Sequence, residues 1–322
     1  MDFLLELLQI LVFPGILFAI GLAFVYEWLD RKIYARLQNR VGPLYTGPSG
    51  ILQPFADFIK LLAKEDVVPN EVDKPLFNAL PIFALTLSLT GFLALPIMDL
   101  RGVISFNGDL IFLIALMTLI CIVIMYSGIS SANRFSTVGA ERAALQLLGY
   151  EIPMMLSAIS IGILASSMWV YDIVSIQANS LWFLIGPGIL GFAIFVLCGQ
   201  AELERIPFDI PEAETEIVAG WLTEFSGRKL ALFRLTKDVE LLYLSGLAVA
   251  LFLGGPSGPV MPGLEFILYP LYFLLKTLFV LFLLTTLRAL FARLRIDQMV
   301  NFSWKYLVPL AILQVLIVRV VV

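Results

Sequence analysis

Apolar residues dominate eight stretches of this chain, and polar residues collect between them. The stretches run at about Leu7–Leu29, Leu76–Ile97, Leu110–Ala132, Ala143–Ser166, Leu181–Ala201, Val239–Leu253, Leu264–Leu290 and Ser303–Val321. A helix needs roughly 20 predominantly apolar residues to cross a bilayer. The sixth stretch is short for that. The pattern predicts an all-α membrane protein: one polytopic domain, 1–322, with eight transmembrane helices. Between the first two stretches, Ile51, Leu52, Phe55, Phe58, Ile59 and Leu62 recur at helical spacing against Gln53, Asp57, Lys60 and Lys64. That periodicity predicts an amphipathic helix lying in the interface at about 49–65. The turn-rich Gly42-Pro43-Leu44-Tyr45-Thr46-Gly47-Pro48 precedes it.

Composition agrees with the pattern. The chain is 60% hydrophobic and 14% charged, against about 45–50% and about 25% in soluble domains. The charges divide unequally. Four polar segments on one side (Asp30–Pro75, Asn133–Arg142, Glu202–Asp238, Arg288–Lys305) hold seven, two, five and four Lys and Arg residues; the other side holds Arg101 and Arg319. Basic loops stay inside. The long loops should therefore be cytoplasmic and both termini external, in the plasma membrane of a prokaryote. The first stretch does not read as a signal peptide, because Asp2 and Glu6 precede it and it is too long for an h-region.

Some chemistry is missing. There is no His, the two Cys (Cys121 and Cys198) both fall in apolar stretches, and there is no CxxC. Binding of zinc or an iron–sulfur cluster by this chain alone is not expected, and the cysteines read as small hydrophobes. No dinucleotide fingerprint or phosphate loop occurs, and no nucleic-acid partner is expected. No redox cofactor should be bound by this chain, so any must belong to other subunits.

Two features stand out against the apolar background. One is an acidic loop at about 202–238 containing Glu202, Glu204, Asp209, Glu212, Glu214, Glu216 and Glu224, interleaved with Ile206, Phe208, Ile210 and Ile217. Cytoplasmic loops normally carry excess positive charge, and the apolar residues point to packing, so the loop should be structured. Pro211 suits the first turn of a helix that would set Glu212 and Glu216 one turn apart. The other feature is charge within the apolar stretches. Glu151 lies roughly 12 Å into the fourth and Lys276 lies near the middle of the seventh. Such residues either pair in the protein interior or relay protons, and burial moves both pKa values toward neutrality. Asp238 and Glu240 open the sixth stretch. These residues together predict a carboxylate funnel whose closely spaced members share protons. The ion-path candidates are Glu151, Glu202, Glu204, Asp209, Glu212, Glu214, Glu216, Glu224, Glu240 and Lys276. Arg31 and Lys32 read as anchors. Arg36, Arg40, Asp57, Lys60, Arg205, Arg293 and Arg295 are candidates for docking a soluble arm.

At these residues the chain resembles the eight-helix NuoH-type membrane subunit of respiratory complex I and its relatives in energy-converting membrane-bound [NiFe] hydrogenases. The resemblance runs from Asp30-Arg31-Lys32, Arg40-Val41-Gly42-Pro43 and Gly50-Ile51-Leu52-Gln53-Pro54-Phe55-Ala56-Asp57 to Gly149-Tyr150-Glu151. Its most specific part is Arg205-Ile206-Pro207-Phe208-Asp209-Ile210-Pro211-Glu212-Ala213-Glu214, extended through Glu216 to Glu224-Phe225-Ser226-Gly227, and it closes at Arg293-Leu294-Arg295-Ile296-Asp297-Gln298 and Trp304-Lys305. It implies a membrane anchor between a soluble arm, carrying iron–sulfur clusters, and antiporter-like ion-pumping subunits. Two departures, Glu204 where the quinone-reducing form commonly has Asn and a longer Gly42–Gly50 turn, favour the ferredoxin-driven hydrogenase type, with hydrogenase-like large and small subunits carrying nickel–iron and iron–sulfur centres. The quinone-site subunit of complex I is the alternative, and a stand-alone secondary transporter is the third.

Overall fold

The computed structural model describes residues 2–260 and 263–321, with residues 2–6 described by backbone alone. Among the described residues the structure is helical, with one isolated bridge between Pro96 and Gly102. In chain order the helices are α1 (Asp2–Leu11), α2 (Ile16–Leu37), α3 (Gln53–Leu62), α4 (Lys74–Leu93), α5 (Asp109–Ser130), α6 (Arg134–Leu164), α7 (Val170–Asn179), α8 (Ile189–Glu202), α9 (Glu214–Ile217), α10 (Gly227–Phe252), α11 (Glu265–Leu290), α12 (Ile296–Phe302) and α13 (Val308–Val321). A π turn at Ser303–Leu307 joins the last two. Widening the helix just ahead of Pro309, which has no N–H to donate, lets α12 and α13 continue as one rod.

Among the described residues, six helical segments are long and apolar enough to cross a membrane: Leu7–Leu37, Lys74–Leu93, Asp109–Ser130, Arg134–Leu164, Glu265–Leu290 and Ile296–Val321. They match six of the eight apolar stretches; the fifth and sixth differ from expectation. The fifth begins late. Phe183–Ile185 is a single 3₁₀ turn, and Gly186-Pro187-Gly188 interrupts the chain before α8 starts at Ile189. The sixth begins early. Its helix opens at Gly227 and is 26 residues long, about 39 Å at 1.5 Å per residue. The expected loop to Asp238 therefore ends at Ser226. Arg228, Lys229, Arg234, Lys237 and Asp238 belong to a helix whose charged first half depresses its hydropathy.

The bundle is organised around α10, which packs against α2, α3, α4 and α11. Every residue from Val239 to Leu253 is buried, which explains a stretch that is apolar all round. Around it α4, α5, α6, α8 and α13 pack in succession. Small residues permit the closest approaches. A side chain at Gly91 would enter the Tyr243 ring, and one at Gly139 would meet the backbone of Trp221. Large apolar side chains such as Leu17, Ile82, Phe266, Phe282 and Leu316 face outward, as a surface against lipid requires.

The segment expected to form an amphipathic helix at 49–65 contains α3, which is shorter. Phe55, Ile59 and Leu62 point outward, while Phe58 meets Phe24 of α2 at 5.5 Å between ring centres. Lys276 lies apart from the carboxylates. Its Nζ donates to the carbonyls of Leu253 (2.7 Å), Gly255 (2.9 Å) and Ser257 (2.7 Å) and sits 4.8 Å from the Trp182 ring centre. All three ammonium donors are satisfied. A buried loop needs its carbonyls satisfied, and Lys276 does this for three in the loop after α10. Lys276, expected in a path with the glutamates, has its ammonium on these three carbonyls.

Candidate functional site

The site is built where α2, α3, α10, α11 and the segment after α8 converge. At its base is Asp30, fully buried on α2. It accepts from Thr285 Oγ1 (2.6 Å) and Arg288 Nη1 (2.8 Å) of α11, and from Arg205 Nη1 (3.1 Å). Arg205 also lies 4.0 Å from Glu27. Glu27 pairs with Arg31 at 2.6 Å, one helical turn on, and Arg31 reaches Asp57 of α3 at 2.8 Å. Gln53 completes the chain by donating to the other oxygen of Asp57 at 2.8 Å. Burial pushes the Asp57 carboxyl upward, but the Arg31 and Gln53 hydrogen bonds outweigh it and hold the group below its usual range. Two expected docking residues, Arg205 and Asp57, are thus turned into this network.

A second group lies beside it. Glu204 is buried at positive φ, and its carboxylate receives Trp221 Nε1 at 3.2 Å and lies 3.0 Å from Lys237 Nζ. A non-glycine residue in this region is unusual and marks a constrained backbone. Lys237 also stands 3.8 Å from Glu240, one turn along α10. Glu202 is buried within Coulombic reach of Lys237, Glu204 and Glu151. One oxygen each of Glu202 and Glu240 is buried without a hydrogen-bond donor among the described residues. Glu151 of α6 accepts from Thr118 of α5 at 2.6 Å.

The remaining acids lie further out. Asp209 pairs with Arg293 at 2.6 Å. Burial raises the Asp209 carboxyl above its usual range, and Arg293 offsets only part of that. Glu216 is exposed and bonded to Arg142, and Glu224 receives the Asn133 amide. Glu214 is exposed. The helix expected from Pro211 is only the single turn α9, so Glu212 and Glu216 do not share a helical face. The apolar partners are placed as expected, with Phe208, Ile210 and Ile217 buried. Gly220 (φ +55°) closes the segment. A Cβ there would collide with the Pro211 carbonyl oxygen, so only glycine fits. Arg36, Arg40, Lys60 and Arg295 are exposed at this end of the molecule.

A cavity of about 650 Å³ connects the two groups. Phe24, Phe58 and Phe233 form its apolar walls; Arg31, Asp57, Arg205, Glu204, Lys237 and Asp238 its polar ones; Asp209, Glu212 and Glu214 reach it from the acidic segment. That size is within the range that holds small organic ligands. Lys237 and Asp30 were not among the site residues expected from sequence. Lys237 was hidden because it reads as a loop cation until α10 is seen to begin at Gly227.

Glu212 gives the site a pH signature. Burial, reinforced by nearby Glu204 and opposed by Lys237, pushes it up to about 8. The folded state then holds a proton that the unfolded chain releases near its ordinary pKa. Stability from this group is therefore full below about 4.5 and is lost as pH rises toward 8. Thermal unfolding of the purified protein between pH 5 and pH 8.5 should show Glu212→Gln gaining on the parent as pH rises. Parallel profiles would show that Glu212 titrates alike in both states.

Comparison with known proteins agrees with this architecture. The family model described as NADH dehydrogenase matches residues 8–319. The chain is 38% identical over 309 residues to the H-type subunit of NADH-quinone oxidoreductase from Brevibacillus brevis, covering 95% of this chain and 91% of the relative. It is 39% identical over 313 residues to the same subunit of Dehalococcoides mccartyi (96% and 86% covered) and 38% identical over 310 residues to that of Geobacillus kaustophilus (95% and 92%). Full-length similarity to these relatives, on a helical bundle with six membrane-long helices, identifies the chain as a member of the complex I NuoH-type family, the H-type membrane subunits of NADH-quinone oxidoreductase.

Proposed function

We propose that this chain is the quinone-site membrane subunit of a complex I-type redox-driven ion translocase, placed between a soluble electron-transfer arm and antiporter-like membrane subunits. The observation that carries this reading is the continuity of the cavity. One space has aromatic walls fit for a planar, apolar ring and is also lined by Glu204 and Lys237. A change of charge in that space acts at close range on the buried carboxylates, where electrostatic interactions are strong. The path then runs from Glu212 and Glu204 through Lys237, Glu240 and Glu202 to Glu151, with Asp209, Glu214, Glu216 and Glu224 at its cytoplasmic mouth. Arg36, Lys60, Arg293 and Arg295 are assigned to docking the arm. The eight apolar stretches support eight crossings, with α8 and α10 as the two further spans, and the charge asymmetry supports both termini being external. Iron–sulfur clusters belong to the partners.

A photoreactive quinone bound to the assembled complex should label α2, α3 or α10 and be displaced by excess unmodified quinone. Labelling confined to other subunits would overturn the assignment.

A second reading keeps the ferredoxin-driven hydrogenase type. It is favoured by the charge of Glu204 at the cavity wall and by the long Gly42–Gly50 turn, whose Thr46 bonds to Gln53 and so to the Asp57 network. Nickel in the purified complex, with hydrogen evolved from reduced ferredoxin and no quinone labelling, would establish it. The stand-alone transporter reading is set aside, because the relatives are subunits by name.

A further inference from the structure

We propose that the basic end of the bundle carries a seat for the headgroup of one anionic phospholipid, next to the large cavity, with which it shares Glu27, Arg31 and Arg288 as walls, and independent of which electron acceptor the complex uses. A second cavity, about 340 Å³, lies between the C-terminal ends of α2 and α11 and the turn at residues 40–43, with Arg31, Tyr34, Arg40 and Arg288 among its walls. Two guanidinium groups approach one ring there: Arg288 is 4.5 Å and Arg40 is 5.5 Å from the Tyr34 ring centre.

The cations are not equally satisfied. Arg31 is paired with Glu27 and Asp57, and Arg288 with Asp30. Arg288 Nε is nonetheless buried without an acceptor. Arg40 is exposed and forms no ion pair among the described residues. Two like charges sharing one ring call for an anion, and a guanidinium binds phosphate oxygens well.

The surroundings select the kind of anion. Val41 (69% exposed) lines the cavity; Leu37 (45%) and Leu44 (46%) flank it on one side, and Leu290 (72%) and Phe291 (51%) extend from Arg288 on the other. These residues lie where two membrane-long helices end. An apolar rim around a basic pocket at that level matches an amphiphile whose phosphodiester enters the pocket and whose chains cover the rim. Inorganic phosphate or an acidic side chain of a soluble partner would answer the charge and leave the rim bare.

The test uses the assembled complex purified in mild detergent. Retained phospholipid is measured by phosphorus assay and mass spectrometry after delipidating washes, for the parent, Arg40→Gln and Val41→Asn. Each is then titrated with phosphatidylglycerol, with phosphatidylcholine, and with inorganic phosphate as competitor. The expected result is an anionic lipid retained by the parent and lost from Arg40→Gln. Half-saturation by phosphatidylglycerol should rise about tenfold, the loss of one charge-assisted hydrogen bond, with a smaller rise in Val41→Asn. Equal lipid retention in both variants, equal binding of phosphatidylcholine, or displacement by inorganic phosphate would overturn the proposal. So would loss of the soluble subunits from Arg40→Gln with lipid content unchanged, which would make an acidic partner residue the occupant.

Discussion

Asp30→Asn should be among the most damaging single changes in this chain. The amide preserves shape but removes the charge that two arginines share. Arg205 and Arg288 would remain in the buried network with Asp30 gone as a counter-ion, and breaking a buried pair in this way costs about 3–5 kcal/mol. The damage would spread, because Asp30 joins α2, α11 and the segment after α8 at one point. The expected outcome is a large drop in the amount of protein in membranes and in the unfolding midpoint of what assembles, with Asp30→Glu recovering part of both. Abundance and midpoint equal to those of the parent would show that the arginines find other partners.

Lys237→Met tests the proposed coupling. Methionine is close to lysine in shape but carries no charge, and Lys237 is the cation within 4 Å of both Glu204 and Glu240. Without it, adjacent buried carboxylates cannot all ionise, and they hold protons tightly. A proton array locked in one state no longer responds to charge in the cavity. Ions moved per electron pair in proteoliposomes should fall at least about tenfold, taking a charge-assisted contact of about 1.5–3 kcal/mol as the loss. Electron transfer should fall less, and Lys237→Arg should restore part of the ratio. An unchanged ratio of ions to electrons in Lys237→Met would reduce the cluster to a packing feature.

The sequence was informative where burial is one-dimensional. Six apolar stretches became membrane-long helices because lipid selects for length and hydropathy, which can be read directly. The packing of Phe208, Ile210 and Ile217 was also legible, because apolar residues alternating with acids in a loop have few other places to go. α10 was not. Its charges crowd into the first half, where they meet tertiary partners such as Asp66, which lies 2.9 Å from Lys229. Averaged hydropathy cannot register a partner 163 positions away. The partners of Lys276 were not legible for a related reason: its acceptors are backbone carbonyls, which every residue has and no side-chain pattern reports. The contact of Arg205, a docking candidate, with Asp30 was not legible, because a basic residue in a polar segment looks the same whether it faces a partner protein or a buried aspartate.

The clamp formed by Lys276 has a mechanical consequence. It fastens the loop immediately beyond α10 to α11 and Trp182, while the charged end of α10 borders the large cavity. α10 is therefore held at its apolar end, while its charged end borders open space. On the function proposed above, displacement of α10 by a group bound in the cavity is expected to be greatest near Lys237 and smallest near Phe252.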